Sequence, residues 1–239
     1  MDKLHIITPV KDSLDTTLQT IKSILNSRID VCSNYTVYND FSTKETTQRL
    51  EKEAAEKGFK LVHLKDITMN ESPNYLPVLQ LAQAQAIQDN AHLIIVESDV
   101  VVAQSTIETL YLYSQKHPDA GLIASVTNDE EGNVNFPYLY AKNYEKKAID
   151  TKKRLSFCCT LITNKFLNAY DFKLLDTKKS WYDIHISRQS RKLGFKNYLL
   201  MNLPVLHIPH SSRPWKKLKY TNPIRYYFSK YFVKNKDKF

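Results

Sequence analysis

Residues Leu93 to Ala103 read "LIIVESDVVVA". Four apolar residues lead to two carboxylates, Glu97 and Asp99, and four more apolar residues follow. An unpaired charge buried in hydrocarbon costs several kcal/mol. The two acids therefore mark either a surface turn or a site at the edge of a core. An apolar run of this length, bounded by polar residues, fits a strand covered on both faces. Which architecture holds it depends on what flanks it.

Working outward, "KLHIITPV" (3–10) predicts a first strand that closes near Pro9. Leu14, Leu18, Ile21, Ile24 and Leu25 share one helical face, with Asp12 and Ser13 as caps. "YTVYND" (35–40) is a second strand. Ser42-Thr43-Lys44-Glu45 has the form of a capping box, opening a charged helix to about Lys57 that Gly58 stops. "FKLVHL" (59–64) is a third strand, and the loop "ESPNYLP" (71–77) leads into a helix. The opening stretch is the fourth strand. Ser105 to Glu108 forms another capping box, and "AGLIASV" (120–126) is a fifth strand. Such alternation predicts an α/β fold with a mostly parallel sheet flanked by helices. Further on, residues 128–153 read as a polar excursion and "RLSFCCTLIT" (154–163) as a strand. Ser180 to Asp183 caps a helix ending at Gly194, and "FKNYLLMNLPVLHI" (195–208) supplies one or two short strands.

Composition narrows the chemistry. Only four glycines occur in 239 residues, which excludes glycine-rich phosphate loops. The three cysteines, with Cys158 and Cys159 adjacent, form no disulfide framework and suit a reducing compartment; the pair reads as core. The apolar stretch at the N-terminus is too short for a signal peptide, and no run approaches a membrane span. From Ser211 to Phe239 nine Lys or Arg face the single Asp237, so +8 of the formal +9 lies in this aromatic-rich tail. The tail reads either as a helix meeting anionic lipid or as one packing on the body with a solvated basic face. The near-neutral body, with acids at its ligand edge, argues against a nucleic-acid partner.

In an open α/β sheet, ligands bind at the carboxyl ends of the strands. Those ends carry Thr8-Pro9-Val10, Asn39-Asp40-Phe41-Ser42 and Glu97-Ser98-Asp99. Three acids on one edge without a glycine loop point to a hard divalent cation and a hydroxyl-rich ligand.

These motifs in this order resemble a family 2 glycosyltransferase of the GT-A (Rossmann-like) fold, over roughly residues 3–212. "YNDFS" stands where the family has a Val-Asp-Asp-Gly-Ser-like motif, and "ESD" stands for Asp-x-Asp. "SWYDIHISRQSRKLGFKNYLLMNLPVLHIPHSS" matches the family's late acid, glycine, strand and histidine. Asn39, Phe41 and Glu97 depart from the pattern, as does "ESPNYLP", which stands where the family has a small-residue or glycine-containing loop. The resemblance implies that Thr8, Pro9 and Val10 line the nucleobase and ribose pocket and that Asp40 bonds the base. It makes Glu97 and Ser98 nucleotide-sugar contacts and Asp99 a ligand of Mg2+ or Mn2+. His207 stands near the metal, with His210 as a weaker candidate. Asp183 becomes the base that deprotonates the acceptor. Each has a plainer alternative: Asp183 stabilises a helix N-terminus, and His207 is a satisfied core histidine. His5 and His185 read as structural.

The domain expectation is a transferase domain over 1–212, with a nucleotide-sugar half (1–126) and an acceptor half (127–212), then a basic aromatic helical tail (213–239). The activity implied is inverting transfer from a nucleotide sugar, foremost a UDP-sugar, to a glycan or lipid-linked acceptor. The family's common setting is surface polysaccharide or lipopolysaccharide assembly, at the cytoplasmic face of the plasma membrane. A non-catalytic sugar-nucleotide or partner-binding module of the same fold is the rival reading, and a nucleic-acid-binding protein a more distant one.

Overall fold

The first half of the apolar run, Leu93 to Val96, lies in a central strand of the sheet, nine-stranded among the described residues, and Val100 and Val101 form a strand at its edge. The computed structural model describes residues 3–177 and 181–208, together with Pro223. The expectations for Ser180, His210 and the remainder of the basic tail lie outside the described residues. Contacts group Met1–Ile208 into one unit and Pro209–Phe239 into another.

In chain order the elements are β1 (Lys3–Val10), α1 (Leu14–Leu25), β2 (Ser33–Asn39), α2 (Lys44–Lys57) and β3 (Lys60–His63). There follow α3 (Tyr75–Gln88), β4 (Ala91–Val96), β5 (Val100–Val101), α4 (Thr106–Lys116) and β6 (Ala120–Asn128). The last are β7 (Ala148–Asp150), β8 (Cys159–Ile162), α5 (Asn164–Ala169), α6 (Tyr182–Lys192) and β9 (Lys196–His207). The sheet order is β3-β2-β1-β4-β8-β6-β9-β5, with β7 on β9. Strands β1 to β4 pair in parallel, and β6 and β9 run with them. Strand β8 enters antiparallel between β4 and β6. The sheet is thus mostly parallel in direction, and the carboxyl ends of β1, β2, β4, β6 and β9 share one edge.

Every residue of β4 is buried, as a strand covered on both faces requires. On one face Ile7, Leu93 and Ile95 pack with Leu79, Phe166 and Ile186 from α3, α5 and α6. On the other, Ile6, Ile94 and Val96 meet Ile24 of α1 with Ile107 and Leu110 of α4. At Gly121 a Cβ would run into Ser190 Oγ and stand 2.9 Å from Phe195 Cβ. The glycine lets α6 lie directly on β6.

Local chemistry corrects several boundaries. Thr43, rather than Ser42, caps α2, its hydroxyl accepting from Thr46 N–H; Ser42 Oγ instead accepts from Asp12 N–H. Ser105 precedes α4 without a side-chain capping bond. Gly58 ends α2 in the left-handed region, as expected. Leu25 lies off the buried face of α1, where Thr17 and Thr20 take apolar-face positions. Of residues 154–163 only Cys159–Ile162 are strand. The one or two short strands expected after Gly194 are a single strand of 12 residues.

Candidate active site

Glu97, Ser98 and Asp99 make the tight turn between β4 and β5, closed by Val100 N–H donating to Glu97 O (3.1 Å). Strand β5 pairs antiparallel with the end of β9, setting Val100 opposite His207. Residues 108 apart in sequence thereby meet, with Asp99 Oδ2 3.5 Å from His207 Nε2 and both side chains buried. The other imidazole nitrogen, Nδ1, lies 2.7 Å from Phe136 O. A carbonyl can only accept, so Nδ1 carries the hydrogen and Nε2 faces the carboxylate. Burial opposes charge on His207, but the carboxylates of Asp99 and Glu97 and the Phe136 carbonyl outweigh it and raise its pKa. The turn is held further by Ile208 N–H donating to Asp99 O (2.8 Å). Glu97 is half-buried, and Cys158 Sγ donates to its carboxylate (3.3 Å). Burial, then the charges of Glu97 and Asp99, push the Cys158 thiol far up, so it is no nucleophile at neutral pH. Its neighbour Cys159 is also buried, which raises its pKa to about 12.

Asp183 stands in the first turn of α6. Arg154 Nη1 donates to its Oδ2 at 3.0 Å, and the guanidinium also lies over the Phe136 ring. Desolvation raises the Asp183 pKa, and Arg154 only partly offsets it. A carboxylate with elevated basicity is suited to taking a proton. Arg154 is carried by an extended segment fixed by Tyr140 Oη donating to its carbonyl (2.9 Å) and by Leu155 N–H donating to Ser187 Oγ on α6 (3.0 Å).

The first two strand ends are tied to each other. Asp12 Oδ1 accepts from Thr43 N–H (2.7 Å), and Lys11 Nζ donates to Phe41 O. Thr8 is wholly buried, its hydroxyl accepting from Tyr35 Oη (2.9 Å), and Val10 is in the α1–α2 core. Only Pro9 of the three is partly exposed. Asp40 turns to the loop before α3, accepting from Ser72 Oγ (2.7 Å), Asn74 N–H (2.9 Å) and Asn74 Nδ2 (2.8 Å). Asn39 bridges locally, donating to Thr47 Oγ1 and accepting from Ser42 N–H. Phe41, standing where the family has glycine, sits at φ 53°, a left-handed conformation that a Cβ disfavours.

The structure thus joins Glu97, Ser98 and Asp99 to His207, and separately joins Asp183 to Arg154. Thr8 and Val10 lie in the layer beneath. Arg154, the Phe136 carbonyl and Tyr75 were not foreseen from sequence. Tyr75 packs on the residues preceding Cys158 and Asp183 and feels the charges of Glu97, Asp183 and Asp99. No sequence motif marks these three. The departure of "ESPNYLP" from a small-residue loop was the one available signal.

A buried carboxylate beside an imidazole whose Nε2 is directed by the Phe136 carbonyl at Nδ1 is a donor pair suited to Mg2+ or Mn2+. Among the described residues no group of three or more His, Cys, Asp or Glu is arranged to hold a metal. The remaining ligands would then be substrate oxygens and water, the usual manner for Mg2+.

Among solved structures, residues 1–349 of S. aureus TarS match with a TM-score of 0.65 at 16% identity, covering 86% of this chain and 60% of that one. The mannosyltransferase PcManGT from Pyrobaculum calidifontis, in complex with GDP-Man and Mn2+, matches at 0.65 and 13%, covering 90% and 59%. GalNAc-T7 with UDP, GalNAc and Mn2+ matches at 0.65 and 12%, covering 89% and 45%. The chain therefore spans about half to three fifths of these proteins, and at such identities the likeness is one of fold, the GT-A fold. No curated protein sequence matches. Residues 5–175 match the sequence profile described as "Glycosyl transferase family 2". With that match covering most of the chain, and strand ends that carry its acids to one edge, the chain belongs to glycosyl transferase family 2.

Proposed function

We propose that this chain is an inverting, divalent-metal-dependent glycosyltransferase that moves a sugar from a nucleotide donor to a hydroxyl of a glycan or lipid-linked acceptor. The observation that carries the reading is the Asp99–His207 pair at the carboxyl ends of β4 and β9. It supplies oxygen and nitrogen donors at the sheet edge where α/β folds bind ligands.

In this reading Asp99 and His207 hold Mg2+ or Mn2+, with Glu97 and Ser98 beside the donor's ribose and diphosphate. The cation supplies charge neutralisation for the departing diphosphate. Pro9 faces the nucleoside, with Thr8 and Val10 forming the floor beneath it. Asp40 acts through the loop it anchors as well as toward the base. Asp183 takes the acceptor's proton, its basicity raised by burial and its orientation set by Arg154. One base and no enzyme nucleophile is the requirement of a single inverting displacement. The nucleotide-sugar half is 1–126 and the acceptor half 127–212. The tail 213–239 brings its cationic and aromatic side chains to an anionic membrane surface, as surface polysaccharide assembly at a cytoplasmic membrane face would use. Support for a nucleotide-sugar donor comes from relatives solved with UDP-GlcNAc and with GDP-Man, and a UDP-sugar is the first to test.

A panel of UDP-, GDP- and dTDP-sugars with Mn2+, read by donor hydrolysis and thermal stabilisation, tests the proposal. One donor should act, and Asp99→Ala should abolish its effect. If none acts and Asp99→Ala changes nothing, the reading fails. Stabilisation without turnover, with Asp183→Ala indifferent, would favour a non-catalytic binding module. Flotation with anionic vesicles tests the tail separately.

A further inference from the structure

Tyr75 opens α3 directly after Asn74, the residue that Asp40 holds by two hydrogen bonds. Its ring packs near-parallel against Phe157 (centroids 6.5 Å apart) and Tyr182 (6.4 Å). These two rings directly precede Cys158, which donates to Glu97, and Asp183. The phenol thus lies within the field of both acidic clusters. Its oxygen is buried and has no hydrogen-bond partner among the described residues. A buried polar atom left unpaired costs about 1–3 kcal/mol, and folded proteins keep few of them. Desolvation first, then the charges of Glu97, Asp183, Cys158 and Asp99, lift its pKa well above the usual value. The hydroxyl therefore stays protonated and able to donate.

We propose that the Tyr75 hydroxyl is a specificity-determining group that hydrogen-bonds a hydroxyl of the transferred sugar. The assignment rests on the transferase reading above. With the donor diphosphate at Asp99 and the acceptor oxygen at Asp183, the group between them is the sugar ring. A neutral polyol suits that position, because the surrounding carboxylates repel an anion and leave a hydroxyl to be paired. Tyr75 as a residue is partly exposed although its phenol oxygen is closed off. Contact with the sugar comes through a change of side-chain rotamer, a common adjustment on binding.

The test is Tyr75→Phe, which removes one oxygen and keeps the stacking. Binding of UDP-, GDP- and dTDP-sugars and of the corresponding free nucleoside diphosphates is measured with Mn2+ by calorimetry. The unliganded melting temperature is measured alongside. Expected is a three- to tenfold loss of affinity for the active sugar nucleotide, about one neutral hydrogen bond. Affinity for its nucleoside diphosphate should be unchanged, and the unliganded melting temperature equal or higher. If both ligands bind the variant as they bind wild type, the Tyr75 assignment is overturned while the transferase reading stands. An equal loss for both ligands overturns it too, since the group would then serve the nucleotide or the fold. Wild type that binds no nucleotide overturns the transferase reading and this assignment with it.

Discussion

The two halves of the sheet bring chemistry to the same edge by different routes. In β3-β2-β1-β4 successive strands are joined by a returning helix, so their ends arrive together by repetition of one unit. Their site residues follow directly from sequence order: a strand, then its acid. In the second half β8 runs backwards between β4 and β6, and the long β9 returns parallel to β6. There the important pairs join residues far apart, His207 to Asp99 and Arg154 to Asp183. In the reading proposed above, the first half prepares a binding edge, and the second delivers an imidazole and a carboxylate of raised basicity to it.

The largest effect expected on that division comes from the second half. Asp183→Asn should lower transfer by about a hundred- to ten-thousandfold, the range for losing a positioned base. The same change should leave stability at neutral pH equal to or above wild type. Burial raises the folded pKa of Asp183, so folding disfavours its charged form. That penalty is absent below the unfolded pKa and develops as pH rises through it. The gain over wild type should accordingly fade in acid, which paired pH-dependent urea titrations will read. A variant that loses stability and activity together would make Asp183 a structural helix acid.

Asp99→Ala, at the junction of the halves, is expected to cost roughly a hundred- to a thousandfold in metal-stimulated turnover. An unchanged rate with an unchanged Mn2+ requirement would show that Asp99 is no ligand, whereas recovery in excess Mn2+ would show that it contributes affinity for the ion. In the first half, Asp40→Ala should act chiefly on stability. It removes the acceptor of three hydrogen bonds, an expected loss of roughly 3 kcal/mol in urea unfolding. An unchanged midpoint would show that the 70–74 loop does not depend on it. Smallest is Gly121→Ala, where the added methyl meets Ser190 and Phe195 and α6 must shift away from β6. About 2 kcal/mol is expected from such overpacking, with activity falling further than stability because α6 carries Asp183.

Legibility followed the same division. The strands β1 to β4, their helices and the Glu97–Asp99 turn could be read because local pattern and burial agree there. Leu93 to Val96 are apolar since both faces are covered, and the acids come where the strand ends. The Thr43 cap was missed by one residue because Ser42 is used by Asp12, a contact between two loops that no local motif reveals. Phe41 kept its backbone conformation without the glycine that would announce it. In the second half no motif marked Arg154, and in the first half Tyr75 read as part of the loop 71–77 although it opens α3.

By itself the sequence determined a mostly parallel α/β chain, because strand and helix periodicities are local; that it is of the GT-A kind was implied by the resemblance of its strand-end motifs to family 2 glycosyltransferases. It also determined where most of the positive charge lies, because charge is a property of composition. Only the tertiary structure decided that Asp99 meets His207, that Arg154 meets Asp183, and that Asp40 holds the loop beneath Tyr75. Those contacts depend on sheet order and strand direction. Both are set by which surfaces pack across the whole fold, and no short stretch of sequence records that choice.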